Sequence, residues 1–108
     1  MEVVEVVVYT RDMARATSFY RDVLGLEPDF ESEHWTTFRT GACTLALHAG
    51  SQPPDPTFQV DDADAERERL AAAGVEVTEI REPVAGLRVF DARDPDGNRF
   101  SIESRAAG

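Results

Sequence analysis

The 108-residue sequence contains no lysine, and all eleven of its basic residues are arginine. Schiff-base chemistry and Walker-type phosphate binding, which need an amine, are therefore excluded. There is one cysteine, Cys43, so no internal disulfide forms, and the chain suits a reducing compartment. Two histidines, His34 and His48, are too few for a three-histidine metal site within one chain. No apolar run approaches the ~20 residues that cross a bilayer. The opening Met1-Glu2-Val3-Val4-Glu5 is acidic where a secretory signal would be basic, which predicts a cytoplasmic protein with no membrane partner.

What the chain has is acid. Its formal net charge of −10 opposes nucleic acid as a partner, because phosphate repels such a surface, and is compatible with cationic ligands. With 42% hydrophobic and 30% charged residues it has the makings of one packed domain spanning 1–108.

Val3 to Thr10 is β-branched and predicts a strand buried on both faces. Asp12 is a natural N-cap for a helix from Met13 to Leu24, whose apolar residues recur at helical spacing and which Gly25 ends. A short acidic stretch follows, then strands over 35–40 and 42–48. The proline-rich segment 50–56 divides the chain into module 1 (about 1–50) and module 2 (about 55–108). Module 2 repeats the plan. It has a strand over 57–60, a helix over 63–73 capped by Asp61 or Asp62, and a Gly74 stop. A strand over 75–80 and a hairpin of 87–93 with 99–104 about Asp94-Pro95-Asp96-Gly97 complete it. Asp12 precedes Gly25 by the same interval as Asp61 precedes Gly74, so each half reads as βαβββ. The fold class is α+β.

Three stretches carry a family resemblance: Val8-Tyr9-Thr10-Arg11-Asp12, Phe19-Tyr20-Arg21-Asp22-Val23-Leu24-Gly25, and Asp94-Pro95-Asp96-Gly97-Asn98-Arg99-Phe100, with Leu45-Ala46-Leu47-His48 between them. The chain resembles the vicinal oxygen chelate superfamily of glyoxalase I, bleomycin resistance proteins and extradiol dioxygenases. The resemblance implies a cup-shaped mixed sheet with helices on its convex side, ligand in the cup, and a homodimer in many members. It also places the divalent-metal ligands of metal-using members at Glu5, Ala46, Asp55 and Ser101. Two of those four residues are not ligands, so no metal cofactor is favoured, although a divalent metal is possible. His48 shares the Ala46 face of its strand and Glu103 the Ser101 face, so Glu5, His48, Asp55 and Glu103 are the candidate metal ligands. Asp55, set among prolines, reads as a turn residue ahead of a ligand; Trp35 offers a stacking surface for a flat or cationic ligand but reads first as core or dimer interface; and Cys43 reads as an inert buried thiol.

Side-chain alternation predicts a ligand site lined by Glu5, Val7, Tyr9, His48, Thr57, Gln59, Arg99, Ser101 and Glu103. Glu5 and His48 are the candidate catalytic groups. The expected function is a small-molecule-binding protein of the bleomycin resistance type without a strong metal site. The alternative is a glyoxalase-like lyase or isomerase, or a dioxygenase-related enzyme, using a relocated site.

Overall fold

The valine-rich N-terminus forms strand β1 (Glu2–Thr10), and Asp12 ends it by turning the chain into a helix. In the computed structural model, which describes residues 1–106, the chain divides into two units. One is Val4–Asp55; the other joins Met1–Val3 to the chain from Pro56 onward. Each is a βαβββ module, so the α+β class and the tandem plan are as the sequence predicts.

In the first module, α1 (Met13–Ser18) is followed by β2 (Glu27–Glu31), β3 (Trp35–Arg39) and β4 (Thr44–Ala49), with strand order β2-β3-β4-β1. β1 runs parallel to β4, and the other pairs are antiparallel. The Asp12 carboxylate accepts from Arg15 N at 3.0 Å and so caps one of the amides that the first helical turn leaves unpaired. The predicted Met13–Leu24 helix is α-helical only to Ser18. Phe19–Val23 is a π-helical turn, closed by Leu24 N donating to Phe19 O.

That turn also corrects the repeat. The second helix, α2 (Ala63–Ala72), is capped by Asp62, whose carboxylate accepts from Ala65 N at 3.1 Å. Cap to glycine is thus thirteen residues in the first module and twelve in the second. A π turn is a one-residue insertion into a helix, and it absorbs the difference. Ser104 supplies a second cap, its hydroxyl accepting from the buried Ala63 N at 3.0 Å.

The second module orders its strands β5-β8-β7-β6, where β5 is Asp55–Gln59, β6 Arg81–Val84, β7 Leu87–Arg93 and β8 Arg99–Arg105. β5 is parallel to β8; β8 with β7 and β7 with β6 are antiparallel. The strand expected over 75–80 is not formed beyond a single bridge, Val77 to Ala92. Val75, Val77 and Ile80 pack instead on the core of Ala63, Phe90, Ala92 and Ile102. Thr78 Oγ1 accepts from Asp91 N and so takes a donor that a ladder would have used.

The acidic stretch passed over as a loop is β2. One edge strand of each module is irregular: β2 carries Pro28 and a register shift before Phe30, and β6 carries Pro83 and a shift between Arg81 and Val84. β1 is only half-buried, with Val7 as its one buried residue, so the prediction of burial on both faces fails.

Candidate functional site

Register decides which side chains share a face, because paired residues point the same way and alternate along each strand. In the first module, Thr36, Phe38 and Leu47 are fully buried on the face that α1 covers. There Thr17 Oγ1 of α1 donates to Thr36 Oγ1 at 3.2 Å, and the Tyr20 ring meets Phe38. The far face carries Glu5, Val7 and Tyr9 from β1, paired with Thr44, Ala46 and His48 from β4. Trp35 of β3 pairs with His48 on its other side. Side-chain direction thus matches the alternation used to choose Glu5, Val7, Tyr9 and His48.

Four rings run edge to face across this surface. Phe30 meets Trp35 at 6.2 Å between centroids, Trp35 meets His48 at 5.0 Å, and His48 meets Tyr9 at 6.0 Å. Such contacts fix each ring against its neighbours. Trp35, expected in a core or interface, is 44% exposed, and Phe30 is exposed beside it. Gly50 follows β4 with a φ of +151°, and a side chain there would bring Cβ to 3.0 Å from Tyr9 Cδ1. The glycine leaves room for the Tyr9 ring.

His48 is the chemically distinctive member. Its Nε2 is buried without a hydrogen-bond partner among the described residues. Burial pushes the imidazole pKa down, opposed by the Asp55 charge, so at neutral pH the ring is uncharged. Asp55 is itself buried at the start of β5, not held in a turn. Cys43 is half-buried just before β4, its thiol directed at Thr44 O, and not fully enclosed as expected. His34 is exposed at the turn into β3.

In the second module, Phe58, Phe90, Ala92, Phe100 and Ile102 lie on the face that α2 covers. The opposite face carries Thr57 and Gln59 of β5, paired with Ser101 and Glu103 of β8, together with Val89, Asp91 and Arg99. Burial would raise the Asp91 carboxyl. Hydrogen bonds from Arg81 and Ser101, with the charges of Arg81 and Arg99, outweigh it and hold the pKa below the ordinary carboxylate value. Ser101 Oγ donates to Asp91 Oδ1 at 2.7 Å, and Arg81 closes a two-point ion pair on the same carboxylate. Glu103 is 6% exposed; Arg105 Nε ion-pairs with its Oε2 at 3.3 Å, yet that oxygen accepts no hydrogen bond among the described residues.

Residues 2–102 match the family model for the Glyoxalase/Bleomycin resistance protein/Dioxygenase superfamily. The chain belongs to this superfamily. No curated protein sequence matches it. Among solved structures it is similar to a superfamily member from Vibrio splendidus, with 23% identity, TM-score 0.78, and coverage of 95% of this chain and 97% of that one. It is also similar to a hypothetical protein from Bacillus halodurans, with 11% identity, TM-score 0.83, and coverage of 99% and 96%. A third is methylmalonyl-CoA epimerase from Mycobacterium tuberculosis, with 19% identity, TM-score 0.76, and coverage of 97% and 88%. At these identities the likeness establishes the fold.

The metal positions that the superfamily implies do not suit an ion here. Ala46 is a fully buried methyl, and the Ser101 hydroxyl is engaged with Asp91. Glu5 and Asp55 remain, two hard carboxylates where a transition metal asks for imidazole or a fuller cage. Among the described residues, no three His, Cys, Asp or Glu side chains group closely enough to share an ion. The expected lining residues did not include Phe30, and Trp35 was set aside as core or interface. The alternation of β3 carried the signal for Trp35, which falls on the same parity as Thr37 and Arg39.

Proposed function

We propose that this superfamily member binds a small molecule directly through its side chains, on the sheet faces opposite the helices, without a resident metal. The observation that carries this reading is the ring row of Phe30, Trp35, His48 and Tyr9 with an unpartnered imidazole nitrogen among them. Apolar rings with one exposed indole and one unsatisfied polar atom give a ligand flat surface to stack on and a single point of orientation. The other lining residues of the proposal are Glu5 and Val7 on the far face of the first module, and Thr57, Gln59, Arg99, Ser101 and Glu103 on that of the second. No helix among the described residues is long and apolar enough to cross a membrane, and a cytoplasmic location is the reading that fits the reduced Cys43.

The test uses the only tryptophan as reporter. Titration with a panel of small heteroaromatic compounds should quench or shift Trp35 emission to saturation at one equivalent. Calorimetry on Trp35→Ala should then show at least tenfold weaker binding, the scale of one lost aromatic contact. A panel that leaves the emission untouched, or an affinity indifferent to Trp35→Ala, sinks the reading. Turnover of an oxoaldehyde–thiol adduct that appears only on adding a divalent ion would favour the lyase alternative instead.

We infer further that the chain forms a homodimer. Phe19, Val23 and Leu24 crowd three large apolar side chains onto one exposed helix end, with Val23 70% exposed, the kind of patch that a second copy covers. Light scattering giving the 11.9 kDa monomer mass at micromolar concentration would refute it.

A further inference from the structure

The two buried side-chain atoms without a hydrogen-bond partner among the described residues are His48 Nε2 and Glu103 Oε2. They occupy equivalent places in the repeat. His48 pairs with Tyr9, three residues before the cap Asp12; Glu103 pairs with Gln59, three residues before the cap Asp62. One pleat repeat back, Ala46 pairs with Val7 and Ser101 with Thr57, and these are the last-strand positions where the superfamily resemblance expects metal ligands. In both modules the residue at the expected position has no available donor atom for an ion. In both, the next residue on the same face is polar and has one buried side-chain atom with no hydrogen-bond partner among the described residues. A buried polar atom left unpaired costs about 1–3 kcal/mol, and unsatisfied groups of this kind concentrate where a ligand completes them.

We propose that His48 and Glu103 are the polar ligand contacts of this chain, one in each module, and that each accepts a hydrogen bond from an amidinium-type cation bound on the far face of its own module. This rests on the reading of the far faces as ligand-binding. A carboxylate only accepts, and an imidazole accepts at Nε2 when its proton sits on Nδ1. The preference for cations follows from the carboxylates available. Asp91 is engaged by Arg81 and Ser101 through three hydrogen bonds, whereas Glu103 Oε2, ion-paired with Arg105 Nε at 3.3 Å, accepts a hydrogen bond from no described donor. The net charge of −10 draws the same class of ligand. A vicinal-oxygen anion, which needs a metal to receive it, would meet acceptors at both positions and be repelled.

The experiment is an NMR titration of the ¹⁵N-labelled full chain with benzamidinium chloride, with benzoate and benzyl alcohol as anionic and neutral partners of the same ring. Benzamidinium should give saturable shifts at the Glu103, Gln59 and Val89 amides and at those of His48 and Tyr9, and benzoate should give none. Glu103→Gln should weaken benzamidinium about tenfold or more, as expected for a lost hydrogen bond to a charged group. Glu82→Gln, on exposed β6, should leave it unchanged. Glu103→Asp keeps the charge but withdraws the carboxylate by one methylene, and should also weaken binding, with native spectral dispersion showing that the fold is intact. Benzoate binding as tightly as benzamidinium, or an affinity unmoved by both Glu103 variants, overturns the proposal. If benzyl alcohol or benzoate shifts only Trp35, His48 and Tyr9, the far-face reading stands and this inference falls. If all three probes are silent, both fall.

Discussion

The Thr17–Thr36 hydroxyl pair offers a clean test of how α1 is held to its sheet. Both residues are buried, Thr36 completely, and their oxygens lie 3.2 Å apart. Thr→Val keeps the shape and removes the hydroxyl. It also leaves helix propensity in α1 nearly unchanged, since Val and Thr rank together. Thr17→Val strands the Thr36 hydroxyl where water does not reach, and Thr36→Val strands that of Thr17. Each single variant should therefore lose about 1–3 kcal/mol. The double variant has no stranded hydroxyl and should lose only about 0–1 kcal/mol. The cycle then shows a favourable coupling of about 1–6 kcal/mol, well outside the additivity of independent sites. Urea denaturation at constant m-value measures all four states. In thermal melts of a domain near this size, each kcal/mol amounts to about 4–8 °C. A double variant equal to the sum of the singles would mean that the hydroxyls do not depend on each other, and the reasoning would be wrong.

Three further outcomes follow from the geometry. Ser104→Ala removes the acceptor of the buried Ala63 amide and should destabilise by about 1–3 kcal/mol, seen in the same urea assay; a loss near zero would show that Asp62 alone caps α2. The folded-state pKa of His48 lies below its unfolded value of about 6.5, so below that pH the unfolded chain takes up the proton first. Its contribution is intact above pH 6.5 and shrinks as pH falls towards the folded pKa; His48→Gln should flatten that part of the stability–pH curve, and an unchanged curve refutes it. Ser101→Ala removes a hydrogen bond to Asp91, so the Asp91 carboxyl should titrate at higher pH, as followed by its ¹³C shift.

The paired caps made the repeat legible, because Asp before a helical run and Gly after it are local signals that tertiary packing rarely overrides. Alternation set the direction of side chains in β1, β4, β5 and β8 for the same reason: one buried face fixes the register. Three features were not legible. The composition of β2 is that of a loop, and only its pairing with β3 makes Glu27–Glu31 a strand. The apolar spacing of Val75, Val77 and Ile80 is compatible with a strand, but those side chains pack on a core whose other members lie distant in sequence. Of the four rings in the row, Tyr9 and His48 were placed on this face by parity. Phe30 was lost with β2, and Trp35 was set aside because a lone tryptophan is ordinarily buried.

The irregular edge strands bear on how this protein behaves when crowded. Proline and a shifted register at β2 and β6 remove donors and bend the ladder where another chain would add on. Polymerisation by strand addition is blocked at both of those edges, so any self-association through them stops before it propagates. Under heat or at high concentration the chain should fail by amorphous clumping through sticky side chains, without thioflavin-positive fibrils.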